Sequence, residues 1–180
     1  MILASASPRR KAILEQLGVR FEVEPPDVQE LDSGDPRELV VENALRKARA
    51  RARPGERVLG ADTAVVLDGK PYGKPPDVAS AGELLRRLAG REHEVMSGIA
   101  VCEDGAERSD LAVTLVRFRA LSEADVDWYL AAGEWRDHAG GYAIQKRGAA
   151  LVESIAGDPW NVVGLPVPAL LGLLPDLLRG

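Results

Sequence analysis

The pattern of apolar and polar positions alternates between two periods along this chain. Ile2-Leu3-Ala4 is a short apolar run, the mark of a buried strand, and Ser5-Ala6-Ser7-Pro8 interrupts it. Ser7 is a good helix N-cap and Pro8 suits a first helical position, so a helix is expected to about Leu17, with Ala12, Ile13, Leu14 and Leu17 on its apolar face and Gly18 after it. Phe21 to Glu24 alternates like a strand, and Pro25-Pro26 ends it. Asp35-Pro36 opens a second helix, to about Arg53, whose buried stripe is Leu39, Val40, Ala44 and Ala48.

Val58-Leu59 leads into Gly60-Ala61-Asp62-Thr63, and the apolar and β-branched run to Leu67 stops at Asp68-Gly69. That dipeptide is a strong hairpin signal, because both central residues of a type I′ turn need positive φ. This spacing places Asp62 where one strand ends and a hairpin begins, with Lys74 on the loop leaving it. Pro76 to Ala89 is a third helix with Leu84, Leu85 and Leu88 inside, capped by Gly90. Glu94 to Cys102 and Leu111 to Phe118 make a long hairpin about Asp104-Gly105, with His93 at its entrance. A fourth helix runs from Ser122-Glu123 to about Ala132; a Gly-rich loop, Asp137 to Gly148, follows. Ala150 to Ile155 is a strand, Gly157 to Asn161 a turn, and Val167 to Leu178 the closing helix. Strands alternate with helices early and pair antiparallel later, so the fold class is α/β with a mixed sheet.

Composition narrows the function classes. The 180 residues fit one domain or two closely packed lobes, and 46% hydrophobic content suffices for a sizeable core. Net charge is −5, which argues against a general nucleic-acid binder. The segment Arg46 to Arg57 nevertheless holds six basic residues against one acid, Glu56, which suits a small polyanion or a solvated helix face. Cys102 is the only cysteine, so no intrachain disulfide or cysteine zinc site can form, as expected for a reducing cytoplasm. No signal peptide or membrane span is expected: no basic residue precedes Ile2, and prolines 166 and 168 interrupt the longest apolar stretch.

Candidate chemistry gathers in few places. Arg9 and Arg10 lie in the first turn of a helix, where the dipole disfavours cations; together with free backbone N–H groups they invite a phosphate, and pairing with surface acids is the alternative. Glu30 sits in an acidic loop, Asp27 to Ser33, of the kind that is either solvated or holds a hard metal. Lys47 borders the apolar stripe of its helix and either snorkels or points into a cleft. Gln145 carries both a donor and an acceptor, which suits reading a base edge.

Several of these segments together resemble the Maf-like nucleoside triphosphate pyrophosphatases, also called septum formation inhibitor proteins. The matching pieces, in order, are Leu3 to Arg10 (LASASPRR), Lys47 to Ala50 (KARA), Gly60 to Thr63 (GADT), Gly73 to Pro75 (GKP), His93 to Gly98 (HEVMSG), Tyr142 to Gln145 (YAIQ), and Gly157 to Pro159 (GDP) with Val163 to Pro166 (VGLP). The resemblance implies an elongated, curved mixed sheet with flanking helices, one domain over 1–180 with two lobes around a cleft, similar to inosine triphosphate pyrophosphatases. It implies hydrolysis of a nucleoside triphosphate to the monophosphate and pyrophosphate with a divalent metal, Mg²⁺ or in its place Mn²⁺ or Co²⁺. A cytoplasmic homodimer is expected, with a nucleotide substrate and neither nucleic acid nor membrane as partner. Carried onto this chain, Asp62, Lys74 and Lys47 would be catalytic, Ser7, Arg9, Arg10, Thr63 and Gln145 would bind substrate, and Glu30 with Asp62 would hold the metal. Gly-Ala-Asp-Thr with Tyr-x-Ile-Gln looks like the branch acting on dTTP and UTP. The alternatives are the sister branch acting on N7-methyl-GTP and a nucleotide-binding regulator of cell division without turnover. Trp135, His138 and Lys146 depart from the family pattern around the Gly-rich loop.

Overall fold

The computed structural model describes residues 1–179. Among them are seven strands: β1 (Ile2–Ala4), β2 (Glu22–Val23), β3 (Arg57–Leu67), β4 (Lys70–Tyr72), β5 (Glu92–Glu103), β6 (Ala106–Phe118) and β7 (Val152–Ala156). The helices are α1 (Pro8–Gln16), α2 (Pro36–Arg49), α3 (Val78–Leu88), α4 (Glu123–Ala131), α5 (Pro159–Val163) and α6 (Val167–Leu173). The strands form one open mixed sheet in the order β2-β1-β3-β5-β6-β7, with β4 also paired to β3. β1 runs parallel to β2 and β3, and the remaining pairs are antiparallel.

The long strands β3, β5 and β6 carry the architecture. One face of the sheet is covered by α2, whose Ala44 and Ala48 pack with Ile2, Ala4, Val58, Ala100 and Cys102. The other face holds two apolar clusters along the same strands. In one, α1 and α6 pack over Leu59, Ala61, Ile99 and Val101; in the other, α3 and α4 pack over Val65, Val95, Val116 and Phe118. Between them lies the pair Thr63 and Ser97, polar residues opposite one another on β3 and β5.

Four expectations need correction. Asp62 is not at a strand end: β3 continues through it, paired with β5 from Arg57 to Val66. Gly60 lies within the strand and provides room for a helix. A Cβ there would overlap the carbonyl oxygen of Ala44 and come within 2.8 Å of the Ala48 amide nitrogen. The second helix stops at Arg49, short of Pro54, and the closing helix stops at Leu173, because a residue before proline, here Leu174, is pushed out of the helical region. The expected turn at Gly157–Asn161 is the start of α5, where Asp158 accepts the amide of Trp160 as an N-cap.

The hairpins follow their turn residues. Asp68 and Gly69 take φ of 53° and 73°, and Asp104 and Gly105 take 49° and 81°. Ser122 and Asp125 form a capping box at the start of α4.

Candidate active site

The pairing pattern leaves a notch in the sheet. β1 pairs with β3 only from Val58 to Gly60, and β4 pairs with it only from Val65 to Leu67. On that side, Ala61 to Ala64 have no strand partner. The chain leaving β1 (Ser5, Ser7, Arg9, Arg10) bounds the gap at one end, and the chain leaving β4 (Gly73-Lys74) bounds it at the other. Asp62 and Thr63 lie on this open stretch, and as neighbours in a strand they point to opposite faces.

On the α2 face, Asp62 meets two groups. Lys47 Nζ donates to its Oδ1 at 2.8 Å, and Asn43 Nδ2 donates to its Oδ2 at 3.0 Å. Lys47 also pairs with Glu30 Oε1 at 2.9 Å, so two carboxylates converge on one ammonium. Lys47 is buried, so it neither snorkels nor faces bulk water. The approach that permits this is steric. Gly98, opposite Asp62 on β5, is a second position where a Cβ would collide with α2, at the backbone of Val40. Two glycines let α2 lie directly on the sheet and bring Asn43 and Lys47, one turn apart, down onto the carboxylate.

On the opposite face, Arg10 is internal, with 8% of its surface exposed. Its Nε donates to the carbonyl of Gly164 (2.8 Å), Nη1 to Ser5 Oγ (2.9 Å) and Nη2 to Thr63 Oγ1 (3.2 Å). Burial lowers its pKa, and the charge of Asp62 opposes that shift. Thr63 Oγ1 also bonds Ser97 Oγ at 2.8 Å. Arg9 points elsewhere: it donates to the carbonyl of Asp137 (2.8 Å) and meets His138 Nε2 at 3.0 Å. His138 Nδ1 lies 2.6 Å from the Arg136 carbonyl and must donate to it, so Nε2 is free to accept from Arg9. His138 thus ties the start of α1 to the Gly-rich loop. Ser7 caps α1, its hydroxyl 3.5 Å from the Arg10 amide.

The outer residues are less tied. Lys74 is exposed, and its loop is held by Gly140, whose amide donates to the Gly73 carbonyl at 3.0 Å. Lys74 lines a surface pocket of about 370 Å³ with Tyr72, Ser80, Glu83 and Arg87. Another pocket, of about 470 Å³, is lined by Arg53, Cys102 and Asp104 at the turn of the β5–β6 hairpin, away from Asp62. Gln145 is also exposed. Lys146 after it takes φ 56°, the left-handed region that glycine enters without strain.

The basic segment is mostly not a polyanion site. Arg46 pairs with Glu42, Arg49 with Glu107, Arg53 with Glu24, and Arg57 with Glu103 and Asp176. Lys47 alone among its cations reaches Asp62. Asn43, Ser5 and Ser97 were not singled out from the sequence. Asn43 was findable in principle, because it sits four residues before Lys47 on the same helical face.

His93 has a structural place. It is buried, stacks edge-on with Phe118 and Tyr142, and its Nε2 lies 2.7 Å from Tyr142 Oη. It therefore pins the segment that leads to Gln145. Burial pushes its pKa from 6.5 down to about 4. The unfolded chain then binds the proton more readily than the folded one. The stability this site contributes is complete above pH 6.5 and is lost as pH falls toward 4, at a cost of up to about 3 kcal/mol. Thermal melts between pH 7 and 4 check this: His93→Gln should lose melting temperature less steeply than the parent, and equal slopes would exclude His93 as the cause.

Among the described residues no group of three or more His, Cys, Asp or Glu side chains converges as a metal cluster. No helix among them is long and apolar enough to cross a membrane.

The family model described as Maf-like protein matches residues 1–177. A protein of Symbiobacterium thermophilum named dTTP/UTP pyrophosphatase is 48% identical over 178 residues, covering 97% of this chain and 92% of its own. One of Gloeobacter violaceus with the same name is 48% identical over 183 residues, with coverage of 99% and 96%. One of Clostridioides difficile, again so named, is 46% identical over 181 residues, with coverage of 97% and 93%.

Proposed function

Because the chain belongs to the Maf-like protein family, we propose that it hydrolyses nucleoside triphosphates, dTTP and UTP foremost, to the monophosphate and pyrophosphate. The observation that carries this reading is near-full-length similarity to relatives named for those two substrates. The clustering of Asp62, Lys47 and Glu30 at the open edge of β3 supports it. Water attacks the α-phosphorus; a P–O bond forms as the α–β bridging bond breaks, and pyrophosphate leaves. Asp62 orients that water and accepts its proton. Lys47 holds the carboxylate in place and contributes charge. Arg9 and Lys74, on the elements that bound the notch, face the triphosphate, which carries about four negative charges, and Arg10, turned inward to Gly164, Ser5 and Thr63, binds it by adding its positive charge from beneath. Ser7 and the first amides of α1 receive a phosphate oxygen.

Gln145 and Thr63 read the pyrimidine. Gln145 does so with its amide, whereas Thr63 acts partly through Arg10 and Ser97, to which its hydroxyl is already bonded. Glu30 and Asp62 fit a divalent ion, because they already converge on one positive charge, that of Lys47. Mg²⁺ there would neutralise and align phosphate oxygens, keeping water in its remaining positions. The reading takes the protein as one domain of two lobes, cytoplasmic and homodimeric, without nucleic-acid or membrane partners.

Pyrophosphate release from dTTP, UTP, CTP, GTP and N7-methyl-GTP, with and without Mg²⁺, tests this. Turnover favouring dTTP and UTP is expected. Preference for N7-methyl-GTP would transfer the chain to the sister specificity, and tight binding without release would make it a nucleotide-responsive regulator. Arg9→Ala should raise KM for dTTP about tenfold with kcat within threefold, the pattern of a uniform binder that forms charge-assisted bonds to phosphate. A kcat loss with unchanged KM would give Arg9 a transition-state role instead.

A further inference from the structure

Pro25 to Gly34, the segment that carries Glu30, has no backbone–backbone hydrogen bond among the described residues. Its main chain is held instead by side chains of α2 and of the chain just after it. Arg51 donates to the Pro25 carbonyl and Arg46 to the Gln29 carbonyl, both at exposed positions. Asn43 alone makes a two-way bond: its Oδ1 accepts the Leu31 amide at 2.7 Å, and its Nδ2 donates to the Leu31 carbonyl at 2.9 Å. The second hydrogen of the same Nδ2 goes to Asp62 Oδ2 at 3.0 Å. Asn43 is 1% exposed, and its side-chain donors and acceptor are all engaged within the protein.

This pattern leaves the amide no choice of orientation. Turning it over would set its NH₂ against the Leu31 N–H and its oxygen against both the Leu31 carbonyl and the Asp62 carboxylate. One turn along α2, Lys47 repeats the bridge, taking Glu30 on the segment and Asp62 on the strand. The two bridges differ in kind. That of Lys47 is a charge that a bound phosphate could draw away, and its Glu30 partner has about half its side chain exposed. That of Asn43 is neutral, buried and fixed to backbone, so it holds regardless of what charge enters the notch.

We propose that Asn43 is the positioning residue that sets Glu30 against Asp62, fixing the main chain of the acidic segment and the plane of the carboxylate with one amide. The proposal rests on the reaction proposed above only where it speaks of turnover. Removing the amide leaves Glu30 on a segment without its buried anchor and Asp62 free to rotate. The cations bounding the notch, Arg9, Arg10 and Lys74, belong to other elements and keep their places. The loss therefore falls on kcat rather than on KM for the triphosphate.

Hydrogen exchange at the Leu31 amide, followed by NMR, gives a readout independent of activity. In Asn43→Ala the amide should exchange about tenfold faster, the loss of one good hydrogen bond. With dTTP, kcat should fall at least about thirtyfold with KM within threefold, the signature of a lost transition-state contribution. Asn43→Asp keeps one of the two Leu31 bonds: a carboxylate oxygen still accepts the Leu31 N–H, so exchange there rises less than in the alanine variant, while the other oxygen faces the Leu31 carbonyl and Asp62 with a like charge, and kcat falls as in the alanine variant. Unchanged Leu31 exchange in Asn43→Ala, or parental kcat in Asn43→Asp, would overturn the assignment. If Asn43→Ala does not fold, Asn43→Asp decides. A parent protein that releases no pyrophosphate would refute the proposed reaction instead, and the exchange measurement would still test the anchor.

Discussion

Asp62→Asn is expected to lower pyrophosphate release from dTTP by about a thousandfold, the middle of the range for loss of a general base. The reason is local. Lys47 and Asn43 each use one oxygen of the carboxylate, and both are donors. An amide in its place must turn its NH₂ toward one of them, so it loses a hydrogen bond as well as the charge that accepts a proton. Folding survives, because Glu30 still pairs with Lys47 and the shape of the side chain is unchanged. The measurement is a steady-state pyrophosphate assay beside a thermal melt. Turnover within tenfold of the parent would remove Asp62 from the chemistry; a lost melting transition would show that the role is structural.

The second large effect falls on the fold beneath the site. Gly60→Ala places a methyl group into the backbone of α2 at Ala44 and Ala48, which cannot yield as a flexible side chain would. Overpacking of this kind costs about 3 kcal/mol, which lowers the melting temperature by roughly 6–12 °C in a domain of this size. Because α2 carries Asn43 and Lys47, the shift that relieves the overlap also lifts both from Asp62, and turnover falls with stability. Gly172→Ala is the control: it adds a methyl group where nothing lies within 4 Å, in a helix, and should leave the melting temperature equal or slightly higher. A Gly60→Ala protein that melts and turns over like the parent would show that α2 does not need its close seat on β3.

Local signals in the sequence set much of the fold. Helix starts at Ser7-Pro8, Asp35-Pro36 and Ser122-Glu123, and turns at Asp68-Gly69 and Asp104-Gly105, were legible because capping and positive φ are properties of a few consecutive residues. The ordered motifs that resemble the Maf-like family were also legible, and the match over residues 1–177 shows that family. Helix ends were read less well. The apolar stripe of α2 is clear in the sequence but its end is not: the helix stops at Arg49, and the arginines beyond it reach Glu24 and the Pro25 carbonyl.

Residue types and their order settled which chemistry is plausible: a carboxylate in a Gly-Ala-Asp-Thr run, arginines at a helix start, a lysine after a hairpin. What only the tertiary structure decided is where those groups stand relative to one another. Asp62 and Thr63 are adjacent in the chain yet serve opposite faces of the sheet, because a strand alternates its side chains. Arg9 and Arg10 are adjacent yet part company, one going to His138 and the Gly-rich loop, the other inward to Gly164 and Thr63. Asn43 carries no motif at all; its place depends on two glycines, Gly60 and Gly98, that sit far from it in sequence and let a helix lie against the strand that holds Asp62. Capping, turns and periodicity act over a few residues and can be read from them. Close approach between distant backbones depends on side chains that are absent, and only the folded chain shows what fills the space they leave.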